Sequence, residues 1–194
     1  MAVGVEHAAF GQDAIGGDQV FEKRAVGGHV RIMLRIHPMS ADQRFQQQAA
    51  ALGYSFDGPI KVGGHYSPVI RDGPLVYVSG QIPRVGEEVM VIGTVGADVS
   101  LDEARLAARI CAMRALAVTA RAVGSLSAIV AVPRMTVYTR SAASFTQQSE
   151  VADAASDLFA AILGPIGVHA RTSVGVLQLP KGAAVELDCI FKVE

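Results

Sequence analysis

The sequence predicts an α+β domain in which two helices cover one face of a mixed β-sheet. Two segments show the helical period, residues 100–123 and 149–163, and they alternate with segments of strand character. The order ββ-α-β-α-ββ favours a single sheet with both helices packed on it. A chain of 194 residues, 51% apolar and 18% charged, can bury one sizeable core.

The strand predictions depend on β-branched or alternating residues between glycines and prolines. In residues 184–193, AVELDCIFKV, apolar and charged residues alternate cleanly. In residues 128–140, AIVAVPRMTVYTR, Pro133 predicts an edge strand or a bulge because proline has no N–H for the ladder. The stretch GPIKVGGHYSPVIRDG has the composition of a loop. The remaining predicted strands are PLVYVSG (74–80), EEVMVIGTVG (87–96) and the segment after Arg171.

Capping signals indicate where the helices begin and end. Ser100 and Glu103 match the capping box, and Gly124 provides a left-handed stop to that helix. Ser40 is predicted to cap a short preceding helix. Residues 1–38 contain six glycines and no sustained period. We therefore expect residues 1–38 to be a loose extension and residues 39–194 to form one domain.

Charge and cysteine content argue against several classes of protein. The net charge is −1 and no run of Lys or Arg is present, which disfavours a nucleic-acid surface. Cys111 and Cys189 lie on apolar faces and are expected to pack in the core, so a reducing cytoplasm is the default location. The five histidines show no metal-ligand spacing, and no signal peptide or membrane span is expected.

Arg171 opens an otherwise apolar strand pattern, HARTSVGVLQLP. A guanidinium remains charged at any working pH, and burying it without a partner is costly. Two interpretations stay open at this point. Arg171 lies at the rim and pairs with an acidic side chain, or it lies in a pocket and binds an external anion.

Three separated motifs then carry a family resemblance: YVSGQIP (77–83), HARTSVGVLQLP (169–180) and AAVELDCIF (183–191). Together they resemble the RidA/YjgF family of reactive-intermediate deaminases, also called endoribonuclease L-PSP, over about residues 60–194. The stretch around FTQQSEVADAASDLFAAILGPIG is more similar to the longer-chain branch of that family. The resemblance implies a chorismate-mutase-like fold, a homotrimer with a central barrel and intersubunit clefts, and no metal or organic cofactor.

The resemblance also implies residue roles. Arg171 matches the arginine that grips the carboxylate of a 2-imino acid, and Glu186 matches the glutamate that activates water together with the backbone carbonyl of Ser173. Asp153 lies near the place of an asparagine in compact members, where an aspartate repels a carboxylate unless it faces away. The residues matching the lining of the cleft are Tyr66, Ser79, Gly80 and Gln81.

Each of these residues also has an ordinary structural interpretation. Glu186 fits a solvated sheet position, Tyr66 fits a tyrosine packed on its own loop, and residues 79–81 fit a turn that ends a strand. A hairpin turning near Pro180 would place Arg171 and Glu186 about four residues out of line, roughly 13 Å apart. The sequence therefore does not decide whether these two side chains share one site.

The predicted function is hydrolysis of small reactive enamines and imines to keto acids and ammonia. The alternative is a non-catalytic trimeric protein that binds a small carboxylate metabolite on the same fold. A ribonuclease is disfavoured because RNA binding recruits several cationic phosphate contacts.

Overall fold

The computed structural model describes residues 19–25, 28–34, 38–60 and 64–194. The chain divides into two compact units, residues 1–39 and 40–194. In the first unit, β1 (Gln19–Ala25) and β2 (Gly28–Leu34) form an antiparallel hairpin that the sequence did not predict. The prediction that residues 1–38 form a loose extension falls mainly on positions outside the described residues.

The second unit is an α+β domain, as predicted. Its helices are α1 (Ala41–Leu52), α2 (Leu101–Val123) and α3 (Gln148–Leu163). Its strands are β3 (Val69–Asp72), β4 (Leu75–Gln81), β5 (Arg84–Val85), β6 (Glu88–Val89), β7 (Ile129–Arg140), β8 (Ala170–Val176) and β9 (Val185–Val193). Five of these form the main sheet in the order β3-β4-β9-β7-β8, while β5 and β6 form a separate hairpin.

The predicted helix caps are confirmed. Ser100 and Glu103 exchange both capping-box hydrogen bonds at the start of α2, and Gly124 ends that helix at φ 90°. Ser40 caps α1 in the same way, with Gln43 as its partner. These local hydrogen bonds satisfy the otherwise unpaired amides of the first helical turn.

The core lies between one face of the main sheet and the helices α2 and α3. Every second residue of β9 is buried: Val185, Leu187, Cys189, Phe191 and Val193. Cys111 and Cys189 are buried free thiols, as the sequence predicted, and burial raises the pKa of both. Pro133 lies within a register shift between β7 and β9, which confirms the bulge. The strand β7 as a whole is interior to the sheet, but its pairing with β8 begins only at Arg134.

Two local predictions were wrong. Residues 87–96 contain only the two-residue strand β6 and isolated bridges at Ile92 and Val95. Gly93 and Gly96 adopt positive φ there, and the intervening Thr94 accepts turn hydrogen bonds that replace a strand ladder. Conversely, β3 lies within the stretch predicted as a loop, because pairing with β4 overrides its local composition.

The predicted hairpin between the last two strands was also wrong. The strand β8 pairs with β7 in parallel, whereas β9 pairs with β7 and β4 in antiparallel fashion. The connection β7-α3-β8 is thus a crossover that places α3 on the sheet. Because β7 lies between β8 and β9, the register estimated from a hairpin does not apply.

Candidate functional site

Glu186 lines a cavity of about 120 Å³ at one end of the main sheet. Its carboxylate lies directly over Gly80, at a register shift between β4 and β9. A Cβ atom at position 80 would come within 2.9 Å of Glu186 Cδ and closer still to Oε1. Glycine is therefore required at position 80 for the carboxylate to occupy its observed place.

The carboxylate of Glu186 lies in an environment that favours its protonated form. Burial raises its pKa, and the negative charge of Asp188 raises it further. Among the described residues, no hydrogen bond or ion pair holds this half-buried carboxylate. A carboxylate with a raised pKa that is open to a cavity can accept a proton from water at near-neutral pH.

The other predicted cleft residues differ in how they meet this cavity. Tyr66 and Gln81 line it together with Gly80. Tyr66 is 55% exposed, whereas Gln81 is buried. The Gln81 amide Nε2 donates to the Ser79 carbonyl, and its Oε1 has no hydrogen-bond partner among the described residues. Ser79 instead donates its hydroxyl to the carbonyl of Ser67 at 2.7 Å, so it anchors the loop.

Arg171 belongs to a second cluster, on β8 and α3. Its Nη1 donates to Asp153 Oδ1 at 2.8 Å and to Ser156 Oγ at 2.9 Å. Ser156 also contacts His169 Nε2 at 3.0 Å, and Ser149 Oγ lies 3.4 Å from Ser173 Oγ. We name this set the β8/α3 cluster: Ser149, Asp153, Ser156, His169, Arg171 and Ser173.

Asp153 thus ion-pairs with the predicted clamp within the same chain. The Arg171 side chain is 23% exposed and the Asp153 side chain 51% exposed. The Nε of Arg171 makes no hydrogen bond to the described residues, and its Nη2 reaches only the Ser149 carbonyl at 3.5 Å. One edge of the guanidinium therefore remains able to receive a further acceptor.

The side chains of Arg171 and Glu186 project to opposite faces of the sheet in a single chain. Register partners on neighbouring strands project to the same face, and Arg171 is paired with the buried Met135. Glu186 is paired with Tyr138, three residues further along β7 on the other face. Three residues and two strand spacings separate the Cα atoms of Arg171 and Glu186 by about 14 Å. One chain alone does not bring these side chains together.

Arg114 is a cavity residue that the sequence analysis missed. It lies in the middle of α2, is 7% exposed, and lines the Glu186 cavity. The only signal in the sequence was a charged residue within the apolar run ICAMRALAV, where a long side chain can also reach the helix flank and solvent. Lys181, held at φ 60° after β8, lines the same cavity.

The described residues provide neither a metal-ligand group nor a membrane-spanning helix. No group of three or more His, Cys, Asp or Glu side chains in ranges 38–60 and 64–194 could hold a metal ion. In the described part of the chain, no helix has the length and apolar character needed to cross a membrane.

Comparison with known proteins places this architecture among established relatives. The family model described as endoribonuclease L-PSP matches residues 59–193. Protein TCP17 of Trypanosoma cruzi is 35% identical over 154 residues, which cover 79% of this chain and 96% of that protein.

Solved structures give the same result. The crystal structure of protein Atu1372 from Agrobacterium tumefaciens, whose function is unknown, has a TM-score of 0.71 and 35% identity over 79% of this chain and 94% of that one. The YjgF gene product of E. coli shares the fold, with a TM-score of 0.50 and 22% identity over 72% of this chain and 95% of that one. The chain therefore belongs to the RidA/YjgF family, whose family model carries the name endoribonuclease L-PSP.

Proposed function

We propose that this protein hydrolyses small reactive imines and enamines, above all 2-imino acids, to keto acids and ammonia. The observation that carries the proposal is Glu186, a half-buried carboxylate with a raised pKa that lies over Gly80 in a cavity and has no hydrogen-bond or ion-pair partner among the described residues. It would take a proton from a water molecule as that water attacks the imine carbon. In the family-based assignment, the backbone carbonyl of Ser173 helps to orient this water.

Arg171 is proposed to hold the carboxylate of the substrate. Its Nη1 is fixed by Asp153 and Ser156, which leaves the edge formed by Nε and Nη2 to face a ligand. A planar fork of two N–H donors suits a carboxylate. Asp153 then orients the guanidinium, although its negative charge weakens the attraction for an anionic substrate.

The separation of Arg171 and Glu186 within one chain leads us to propose an intersubunit site in a homotrimer. The strand β8 is an edge of the main sheet, so the β8/α3 cluster is accessible to a neighbouring copy. In this arrangement, Arg171 of one subunit faces the cavity that contains Glu186 of the next. Three such sites would form by rotation around one threefold axis.

The test measures ammonia and keto-acid release from freshly generated 2-iminopropionate. Arg171→Ala and Glu186→Gln are each expected to lose activity at least a hundredfold while remaining folded trimers by light scattering. Full activity in either variant would contradict the residue assignment. Absence of turnover by the wild-type protein with any small imine would contradict the proposed function.

A mixing experiment tests the intersubunit arrangement. When the two inactive variants are unfolded together and refolded at equal amounts, a mixed trimer contains one intact pair of Arg171 and Glu186. Random mixing should restore about a quarter of the wild-type sites. Separately refolded and then combined variants are the control. No recovery from the co-refolded mixture would rule out a site shared between subunits.

The Asp153–Arg171 ion pair favours the second candidate, a protein that binds a small carboxylate without turnover. A clamp that is already paired holds an anion weakly and releases it readily, as a metabolite sensor requires. Ligand-induced stabilisation with no ammonia release would select this candidate. Ammonia release that depends on Glu186 would select the enzyme.

A further inference from the structure

Arg114 is a buried cation that lacks a charged partner in the described part of the chain. Its Nη1 donates to the backbone carbonyl of Arg84 at 3.0 Å, and its Nε is buried with no acceptor. Burial lowers the pKa of Arg114, and the neighbouring charges of Arg84 and Arg121 lower it further. Burying a charged guanidinium without an anionic partner costs free energy, so a bound anion would stabilise Arg114.

Arg114 lies between two cavities and lines both. The first contains Glu186, and the second, of about 320 Å³, is bounded by Ile60, Arg84 and Val85. Arg84 is already paired, since its Nη2 lies 3.2 Å from Glu87 Oε2. Among the described residues, each cavity has one acidic side chain, Glu186 on the first and Glu87 on the second. Neither carboxylate lies within ion-pair distance of Arg114 in the described structure. Arg84 and Lys181 also line the first cavity, so three cationic side chains, with Arg114, surround it.

A second buried polar atom beside the same cavity also lacks a hydrogen-bond partner among the described residues. Gln81 is 4% exposed and lines the first cavity, and its Oε1 accepts no hydrogen bond from the described residues. Donor and acceptor are therefore both buried and both unsatisfied beside Glu186. Buried polar groups are normally hydrogen-bonded, so a ligand that offers an anionic oxygen and an N–H group would satisfy both.

We propose that Arg114 binds a second carboxylate of the substrate, so that the protein prefers imines of acidic amino acids to those of small neutral ones. This inference rests on the proposed function, because it names the substrate class of the Glu186 site. The α-carboxylate goes to Arg171 of the neighbouring subunit, and the side-chain carboxylate reaches Arg114 at the junction of the two cavities. The imine nitrogen donates its N–H to Gln81 Oε1, next to the water held by Glu186.

Binding is tested first, without chemistry. Calorimetry compares glutarate, a dicarboxylate, with butyrate, a monocarboxylate of similar size. The wild-type protein should bind glutarate about tenfold to a hundredfold more tightly, as a charged hydrogen-bonded contact implies. Arg114→Met should abolish this difference and Arg114→Lys should retain part of it.

Two further variants control for loss of folding and for the loss of any positive charge from α2. Arg114→Gln has no charge but can still donate to the Arg84 carbonyl, so it replaces Arg114→Met should that variant not fold. Arg109→Met is the matched control on the same helix, because Arg109 is exposed and lines neither cavity. Glutarate affinity should remain within about threefold of wild type in Arg109→Met.

Turnover separates this inference from the proposed function. The wild-type protein should show a higher kcat/KM for 2-iminoglutarate than for 2-iminopropionate, and Arg114→Met should lower only the former. If glutarate binds through Arg114 but no imine is hydrolysed, the proposed function fails and the binding site stands. If 2-iminopropionate is hydrolysed while Arg114→Met changes neither glutarate binding nor substrate preference, the inference is overturned and the function stands.

Discussion

Replacing Gly80 with alanine tests whether the position of the Glu186 carboxylate controls activity. An added Cβ would lie 2.9 Å from Glu186 Cδ and 3.2 Å from Cγ, whereas ordinary contacts begin at 3.4 Å. The nearest carboxylate oxygen must therefore move by more than about 1 Å to a normal carbon contact distance. A displacement of this size in a catalytic group costs about a hundredfold in rate, or about 2.7 kcal/mol of transition-state stabilisation.

Stability should change far less than activity in Gly80→Ala. The end of the Glu186 side chain can rotate into the cavity, so the overpacking cost is at the low end of about 1–3 kcal/mol. Reduced freedom of the unfolded chain offsets about 0.4–1 kcal/mol of that cost, because the backbone at Gly80 is not in the left-handed region. The net change in unfolding free energy should thus lie within about 1 kcal/mol.

The assay combines ammonia release from 2-iminopropionate with thermal unfolding followed by circular dichroism. Gly58→Ala is the matched control, since an added Cβ there has no atom within 4 Å and its φ is not positive. The control should retain wild-type activity. Gly80→Ala with activity within threefold of wild type would refute the reasoning, as would a loss of activity that follows entirely from unfolding.

Four other substitutions have defined outcomes. Burial and Asp188 raise the pKa of Glu186, so kcat/KM should rise with pH through a limb above the ordinary glutamate value, and Asp188→Asn should move that limb to lower pH. Because the pKa of Glu186 is higher in the folded protein than in the unfolded chain, ionising this side chain destabilises the fold. Glu186→Gln should therefore become more stable relative to wild type as the pH rises from the ordinary glutamate pKa to the raised one. Urea unfolding at several pH values measures this difference. Asp153→Asn should lower KM for 2-iminopropionate by removing a competing charge from Arg171, while changing stability by only about 0–1 kcal/mol because the pair is partly exposed. Ser100→Ala should cost about 1 kcal/mol of unfolding free energy through loss of the cap on α2, with activity per folded molecule unchanged.

Local sequence patterns were sufficient for the elements whose structure depends on nearby residues. The capping serines and Gly124 set the ends of α1 and α2 because their hydrogen bonds span only three or four residues. The alternation in β9 predicted its buried face correctly, since side chains project to alternate faces of any strand. The strand predicted at residues 87–96 was wrong, because Gly93 and Gly96 adopt positive φ and turns and bridges replace most of the strand.

The candidate site shows the limit of such patterns. The strand pattern singled out Arg171 and the family resemblance singled out Glu186, but their relative position depends on which strand lies between β8 and β9. That choice is made by burial of α3 against the sheet, a contact between segments distant along the chain. Only the tertiary structure could place the two side chains on opposite faces.

By itself, the sequence determined the α+β class, the helix caps, the buried face of β9 and the charged residues from which a site could be made. The tertiary structure alone decided that Asp153 pairs with Arg171, that Gly80 lies under Glu186, and that Arg114 is buried between two cavities. The physical reason is that periodicity and capping act over one or two turns, whereas burial and charge pairing depend on the whole packed fold. A charge in an apolar helix has the same sequence whether it reaches solvent or a cavity, and only the packing around it decides which.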